Sequence, residues 1–179
     1  MKILASILTA AALLATVALR PALGQEDKKP DFSGTWKLNT EKSDPMGGRA
    51  GAGGGGGGGG VSAGLSPMNM GPTTITQSAT ELVISTAMGE QTRKYTYSLE
   101  GKETTNPGMR GGETKSKAHW DGNSLVIENT GTMKGPNGDV TVTSKEVHTL
   151  SEDGKTMTVV TTRTTPNGEQ TTKRVYDKQ

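Results

Sequence analysis

Arg93, Tyr95 and Tyr97 alternate with Lys94 and Thr96 in "RKYTY"; further on Ser144, Glu146 and His148 alternate in "SKEVH", and Thr161 and Arg163 in "TTR". A spacing of two puts each set on one face of an extended strand. Guanidinium and phenol groups gathered on one face can hold a carboxylate through charge-assisted hydrogen bonds. With that face turned inward, Arg93, Tyr95, Tyr97, His148 and Arg163 are the candidate ligand-binding residues, because buried charge must be paired or must serve a ligand. Two readings stay open: a structural network, for example Glu146 with Arg163, and a pocket for an anionic amphiphile.

Catalytic chemistry has no comparable footing. The chain has two histidines, and parity turns His119 outward, so no histidine-rich metal site is expected. Methionines in "SPMNM" and Met46 could offer thioether sulfur to copper, but in a glycine-rich stretch they read as incidental. No Gly-x-Ser-x-Gly is present, and paired carboxylates occur only in turns such as Glu152-Asp153. The absence of cysteine excludes a disulfide framework, a thiolate metal site and a cysteine nucleophile. The chain reads as a non-enzyme, with no cofactor and no metal.

The elements that must position these residues are strands. No apolar period of 3.6 persists long enough for a helix. Runs rich in threonine, valine and tyrosine instead predict strands at Gly34–Asn39, Thr73–Gln77, Glu81–Met88, Gln91–Leu99, Glu113–Trp120, Ser124–Gly131, Asp139–Leu150, Lys155–Thr164 and Glu169–Asp177. Between them stand "MGEQ", "DGNS", "GPNGD", "SEDGK" and "TPNGE", whose Asn-Gly and Asp-Gly pairs supply the positive φ of hairpin turns. Consecutive hairpins make an antiparallel up-and-down meander of eight or nine strands. Left open, such a meander would expose two edges, and closure into a barrel removes them. Parity also turns Leu82, Ile84, Met88, Leu99, Trp120, Leu125, Ile127, Val142, Leu150, Met157 and Val159 inward.

The N-terminus carries an uncharged apolar run, "ILASILTAAALLATVAL", followed by Ala22-Leu23-Gly24, small at the two positions a signal peptidase reads. The expectation is a signal peptide at 1–24 and a single domain at 25–179, exported to the periplasm or the cell exterior, with no membrane span after cleavage. Cleavage removes Lys2 and Arg20, which leaves basic and acidic residues equal in number. No clustered basic face remains, so nucleic acid is not an expected partner. Only 3% of residues are aromatic and 30% hydrophobic, a composition for a thin core. Residues 45–72 hold the glycine tract, which lacks the Gly-Lys-Ser/Thr of a phosphate cradle and predicts a flexible loop spanning about 25–30 Å.

"DFSGTWKLN" at residues 31–39 is the stretch with a family signature. Its Gly-x-Trp resembles the first-strand motif of lipocalins and related calycin barrels. "DFSGTWKLNTEKSD", "SEDGKTMTV" and "RVYDKQ" also resemble small lipocalin-like proteins exported by soil bacteria. The resemblance implies a lipocalin-like barrel, with Gly34 and Trp36 at its closed end and the glycine tract as a lid over the mouth. In that family the tryptophan packs on an arginine of a late strand, which implies Arg174 or Arg163 here. It also implies a small hydrophobic or amphipathic, fatty-acid-like ligand, and the chain is expected to be a monomer. The competing expectation is a non-catalytic structural or interaction protein of the cell envelope whose barrel is filled by its own side chains.

Overall fold

A computed structural model describes residues 28–45, 68, 71–88, 90–108, 112–135, 138–165 and 168–179. The signal peptide expected at 1–24 and nearly all of the loop expected at 45–72 lie outside the described residues. Ten antiparallel strands form one sheet: β1 (Gly34–Leu38), β2 (Thr73–Gln77), β3 (Glu81–Met88), β4 (Gln91–Ser98), β5 (Thr104–Pro107), β6 (Glu113–Asp121), β7 (Ser124–Gly135), β8 (Gly138–Leu150), β9 (Thr156–Thr165) and β10 (Gly168–Lys178). Among the described residues no helix is long and apolar enough to cross a membrane.

The spatial order is β4-β3-β2-β1-β10-β9-β8-β7-β6-β5. β1 therefore joins the last strand to the second, and the ends of the order, β4 and β5, come back side by side. No ladder register joins these two, so the all-β meander is a nearly closed barrel.

Ten strands stand where the sequence reading has nine, and the addition is β5. Its four residues, TTNP, carry an asparagine and a proline, both depleted in strands, and no apolar alternation marks it. The proline is tolerated because β5 pairs through one edge only, with β6. At the turns, Gly122 (φ 56°) and Gly154 (φ 66°) supply the left-handed conformation that joins β6 to β7 and β8 to β9.

Side chains alternate across the sheet as the sequence pattern requires. Leu82, Ile84, Tyr95, Tyr97, Ala118, Leu125, Ile127, Val142, Met157 and Val159 are buried on the inner face. His119 points outward and is exposed. Of Met88, the sequence reading's inward residue on β3, the side chain is outside what is described. Met68 overturns another expectation: it is fully buried within the core cluster, so one methionine of the glycine-rich connection is a packing residue.

Candidate functional site

One end of the barrel is stoppered by the segment before β1. Phe32 stacks on Trp120 with ring centroids 6.1 Å apart and meets the His148 ring edge-on at 6.3 Å. Gln77 latches this segment from β2: its Oε1 accepts from Phe32 N at 3.0 Å and its Nε2 donates to Pro30 O at 2.9 Å. Trp36 is fully buried, and its Nε1 donates to Phe32 O at 2.9 Å.

The cation over Trp36 is Lys178, with Nζ 5.4 Å from the ring centroid, which corrects the expectation of an arginine. Register is the reason: Trp36 lies opposite Lys178 on β10, whereas Arg174 is four residues from Lys178, beyond the Leu38–Tyr176 pair. Arg174 instead donates through Nη1 to Asp44 O at 2.6 Å, fastening the chain after β1 to β10. Its closing role is therefore at Asp44 and not at the indole. Arg174 Nε is buried with no hydrogen-bond partner.

Gly34 belongs to the same arrangement. A Cβ there would lie 2.5 Å from Lys178 Cε, so the missing side chain is the path by which Lys178 reaches the indole.

Inside the barrel runs a continuous polar chain. Asn106 Nδ2 donates to Ser116 Oγ at 3.3 Å, and Ser116 Oγ donates to Asn129 Oδ1 at 2.7 Å. Asn129 Nδ2 donates to Glu146 Oε1 at 3.2 Å, and Glu146 Oε2 meets His148 Nε2 at 3.1 Å. The partner of Glu146 is thus His148 and not Arg163, which corrects the network expected from sequence. All five residues are buried, on strands β5 to β8. The hydrogen bonds that link the chain run from Asn106 through Ser116 and Asn129 to Glu146, and Asn129 Nδ2 also reaches Ser144 Oγ at 3.5 Å.

Two phenols lie in the field of that carboxylate. Burial pushes the Tyr97 phenol well above its ordinary value, and Glu146 and then Tyr95 push it further. Burial also raises Tyr176, Glu146 adds to the shift, and Arg174 opposes it. Both hydroxyls therefore stay protonated in neutral solution. Desolvation holds the Arg163 guanidinium below its ordinary value.

The five residues singled out from sequence share the inner face but not one point. Tyr95, Tyr97 and His148 are buried, while Arg93 and Arg163 are half-buried toward the end of the barrel away from Phe32. Arg163 lies opposite Ser144 on β8 and Gln170 on β10, and Arg93 lies opposite Thr86 on β3. Sequence reasoning did not find Phe32, Asn106, Ser116, Asn129 or Tyr176 as interior polar or sealing groups. For Ser116, Asn129 and Tyr176 the period of two was a usable signal.

By strand parity, three guanidiniums (Arg93, Arg163 and Arg174) face the interior and one carboxylate, Glu146, does so among the described residues. No group of three metal-binding side chains comes together among them.

No family pattern matches the chain, and no curated protein matches it. Solved structures do. A protein described as the REP1-NXSQ fatty acid transporter is 17% identical, with a TM-score of 0.52 over 83% of this chain and 96% of its own. Zebrafish ileal bile acid-binding protein, solved with cholic acid, is 14% identical, with a TM-score of 0.54 over 83% of this chain and 98% of its own. At these identities the likeness is one of fold, a calycin-type β-barrel.

Proposed function

We propose that the chain is an exported, lipocalin-like binding protein, without catalytic activity, that holds a small hydrophobic or amphipathic molecule with an anionic group inside its barrel. The carrying observation is placement: Arg93 and Arg163 stand half-buried on the inner face, while Glu146, the inward carboxylate among the described residues, is already engaged by His148 and Asn129. Guanidiniums beside an apolar interior favour a ligand that carries an anionic group. Arg93 and Arg163 hold its charged group, and the apolar body runs inward past Tyr95, Tyr97 and Val159. The fatty acid transporter and the bile acid-binding protein of the same fold carry ligands of this chemistry by name, which supports the reading.

Titration with a fluorescent fatty acid tests it. Arg93→Met and Arg163→Met are each expected to weaken binding at least tenfold while the fold persists, since a charge-assisted hydrogen bond is worth about 1.5–3 kcal/mol. Absence of saturable binding in the wild type, or equal affinity in all three proteins, would overturn the assignment. Export belongs to the same proposal: secreted protein should begin at Gln25, and its intact mass reads this directly.

A second reading, an envelope protein with a self-filled barrel, draws on the internal pairing of the polar chain from Asn106 to His148. Solvent extraction of purified protein followed by mass spectrometry separates the two. A recurrent small molecule favours binding, and an empty barrel favours the structural role.

A further inference from the structure

The polar chain ends on a group that it does not saturate. A carboxylate offers about four lone-pair sites, and Glu146 has one partner on each oxygen: Asn129 Nδ2 donates to Oε1, and His148 Nε2, in the tautomer that carries its proton there, donates to Oε2. Glu146 projects from β8 into the interior, where its field reaches Tyr97 on β4, across the barrel, and Tyr176 on β10. It is 1% exposed, so bulk water does not serve its remaining sites. Hydrocarbon laid against such a group leaves acceptors without donors, which is unfavourable in a dry interior.

The position of Glu146 relative to the arginines adds a distance. Arg163 lies opposite Ser144, and Glu146 is two residues deeper on the same face of β8. Two residues of strand advance about 7 Å. A ligand whose anionic group rests at Arg93 and Arg163 therefore passes Glu146 several carbons along its body. A second carboxylate at that depth would be repelled, whereas a neutral donor would be welcomed.

We propose that Glu146 is a specificity-determining residue, and that the ligand is a carboxylic acid bearing a hydroxyl group part of the way along its apolar body, which donates a hydrogen bond to the Glu146 carboxylate. This rests on the binding reading above and narrows its ligand class. A site built to receive a hydroxyl discriminates against the analogue lacking it, because its buried polar group is then left unmatched.

Calorimetric titration of the full chain with octadecanoic acid, its mid-chain hydroxy derivative and its terminally hydroxylated derivative tests the proposal. The wild type is expected to bind the mid-chain hydroxy acid at least tenfold more tightly than the other two. Glu146→Leu is expected to reverse that order, and Glu146→Gln to narrow it while conserving size, so the comparison survives if the leucine variant does not fold. Equal affinity of the wild type for all three acids overturns the role of Glu146 and leaves the binding reading standing. A full preference retained in Glu146→Gln overturns it also, by placing the selectivity elsewhere. Binding of none of the acids overturns the binding reading, and this inference with it.

Discussion

The carboxamide of Asn106 lies along the peptide of Thr96 as a paired strand would: Oδ1 accepts the Thr96 N–H at 2.7 Å, and Nδ2 donates to the Thr96 carbonyl at 3.0 Å. β4 and β5 share no ladder register, so this one side chain bridges the seam of the barrel. Asn106→Ala leaves both Thr96 groups without partners in a half-buried setting. A loss of about 1–3 kcal/mol is expected, measured by denaturant unfolding, with faster hydrogen exchange at the Thr96 amide. Asn106→Asp retains the acceptor and loses the donor, and it should fall between alanine and wild type. Unchanged exchange at Thr96 would remove the bridging role.

Gly34, Trp36 and Lys178 act as one unit at the sealed end. Gly34 has φ 138°, which side chains of L-residues rarely adopt, and Lys178 fills the space beside it. Gly34→Ala is expected to destabilise by about 1–3 kcal/mol. Adding Lys178→Ala should restore little, because the backbone strain remains after the flexible lysine is gone. Trp36→Ala should cost about 3–5 kcal/mol as a buried large aromatic, and Lys178→Met about 0.5–1 kcal/mol as an exposed cation–π contact. Full rescue of Gly34→Ala by the lysine variant would show that crowding, not dihedral strain, sets the requirement for glycine.

What the sequence disclosed follows from which interactions are periodic. The bounds of β2 and β3 were readable to the residue, and the other predicted strands to within a few, because alternation and turn pairs mark them. The inward placement of Arg93, Tyr95, Tyr97, Glu146, His148 and Arg163 came from the same period of two. β5 was hidden because its asparagine is chosen for a side-chain bridge and not for strand propensity. The Glu146–His148 pair is a neighbour relation within one strand and was open to view, yet the arginine on β9 competed for the same carboxylate on paper. Lys178 over Trp36 depends on a register between the first and last strands, a non-local fact that no short window contains. Phe32 was invisible as a stopper because it precedes the first strand and belongs to no pattern.

Met68 gives the connection between β1 and β2 a stake in the core, since it is fully buried among the apolar residues of the barrel. Met68→Ala is expected to cost about 2–5 kcal/mol. Gly51–Gly60 lie outside the described residues, but their composition predicts coil, and loop closure varies slowly with length, so their deletion is expected to shift stability by less than about 1 kcal/mol. Thermal unfolding of the two variants beside wild type reads both. A deletion more damaging than Met68→Ala would assign the glycines a packing role.

The two shifted phenols make stability depend on pH at the alkaline side. In the unfolded chain Tyr97 and Tyr176 titrate at about 10, while in the folded chain burial holds both higher. The unfolded state therefore releases these protons first as pH rises, and the folded state loses ground relative to it. Their contribution is complete below pH of about 10 and declines above it, by up to about 1.4 kcal/mol per pH unit for each tyrosine until the folded values are reached. Denaturant midpoints measured across the alkaline range should fall accordingly, and tyrosinate absorbance of these two groups should lag behind that of free tyrosine. The Tyr97→Phe, Tyr176→Phe double variant should flatten this decline. Burial is the largest cause at both residues, and Glu146 comes second. Glu146→Gln is thus expected to lower the onset of tyrosinate formation while leaving it above that of free tyrosine. An onset equal to that of free tyrosine in Glu146→Gln would make the carboxylate, not the dry interior, the dominant influence on the phenols.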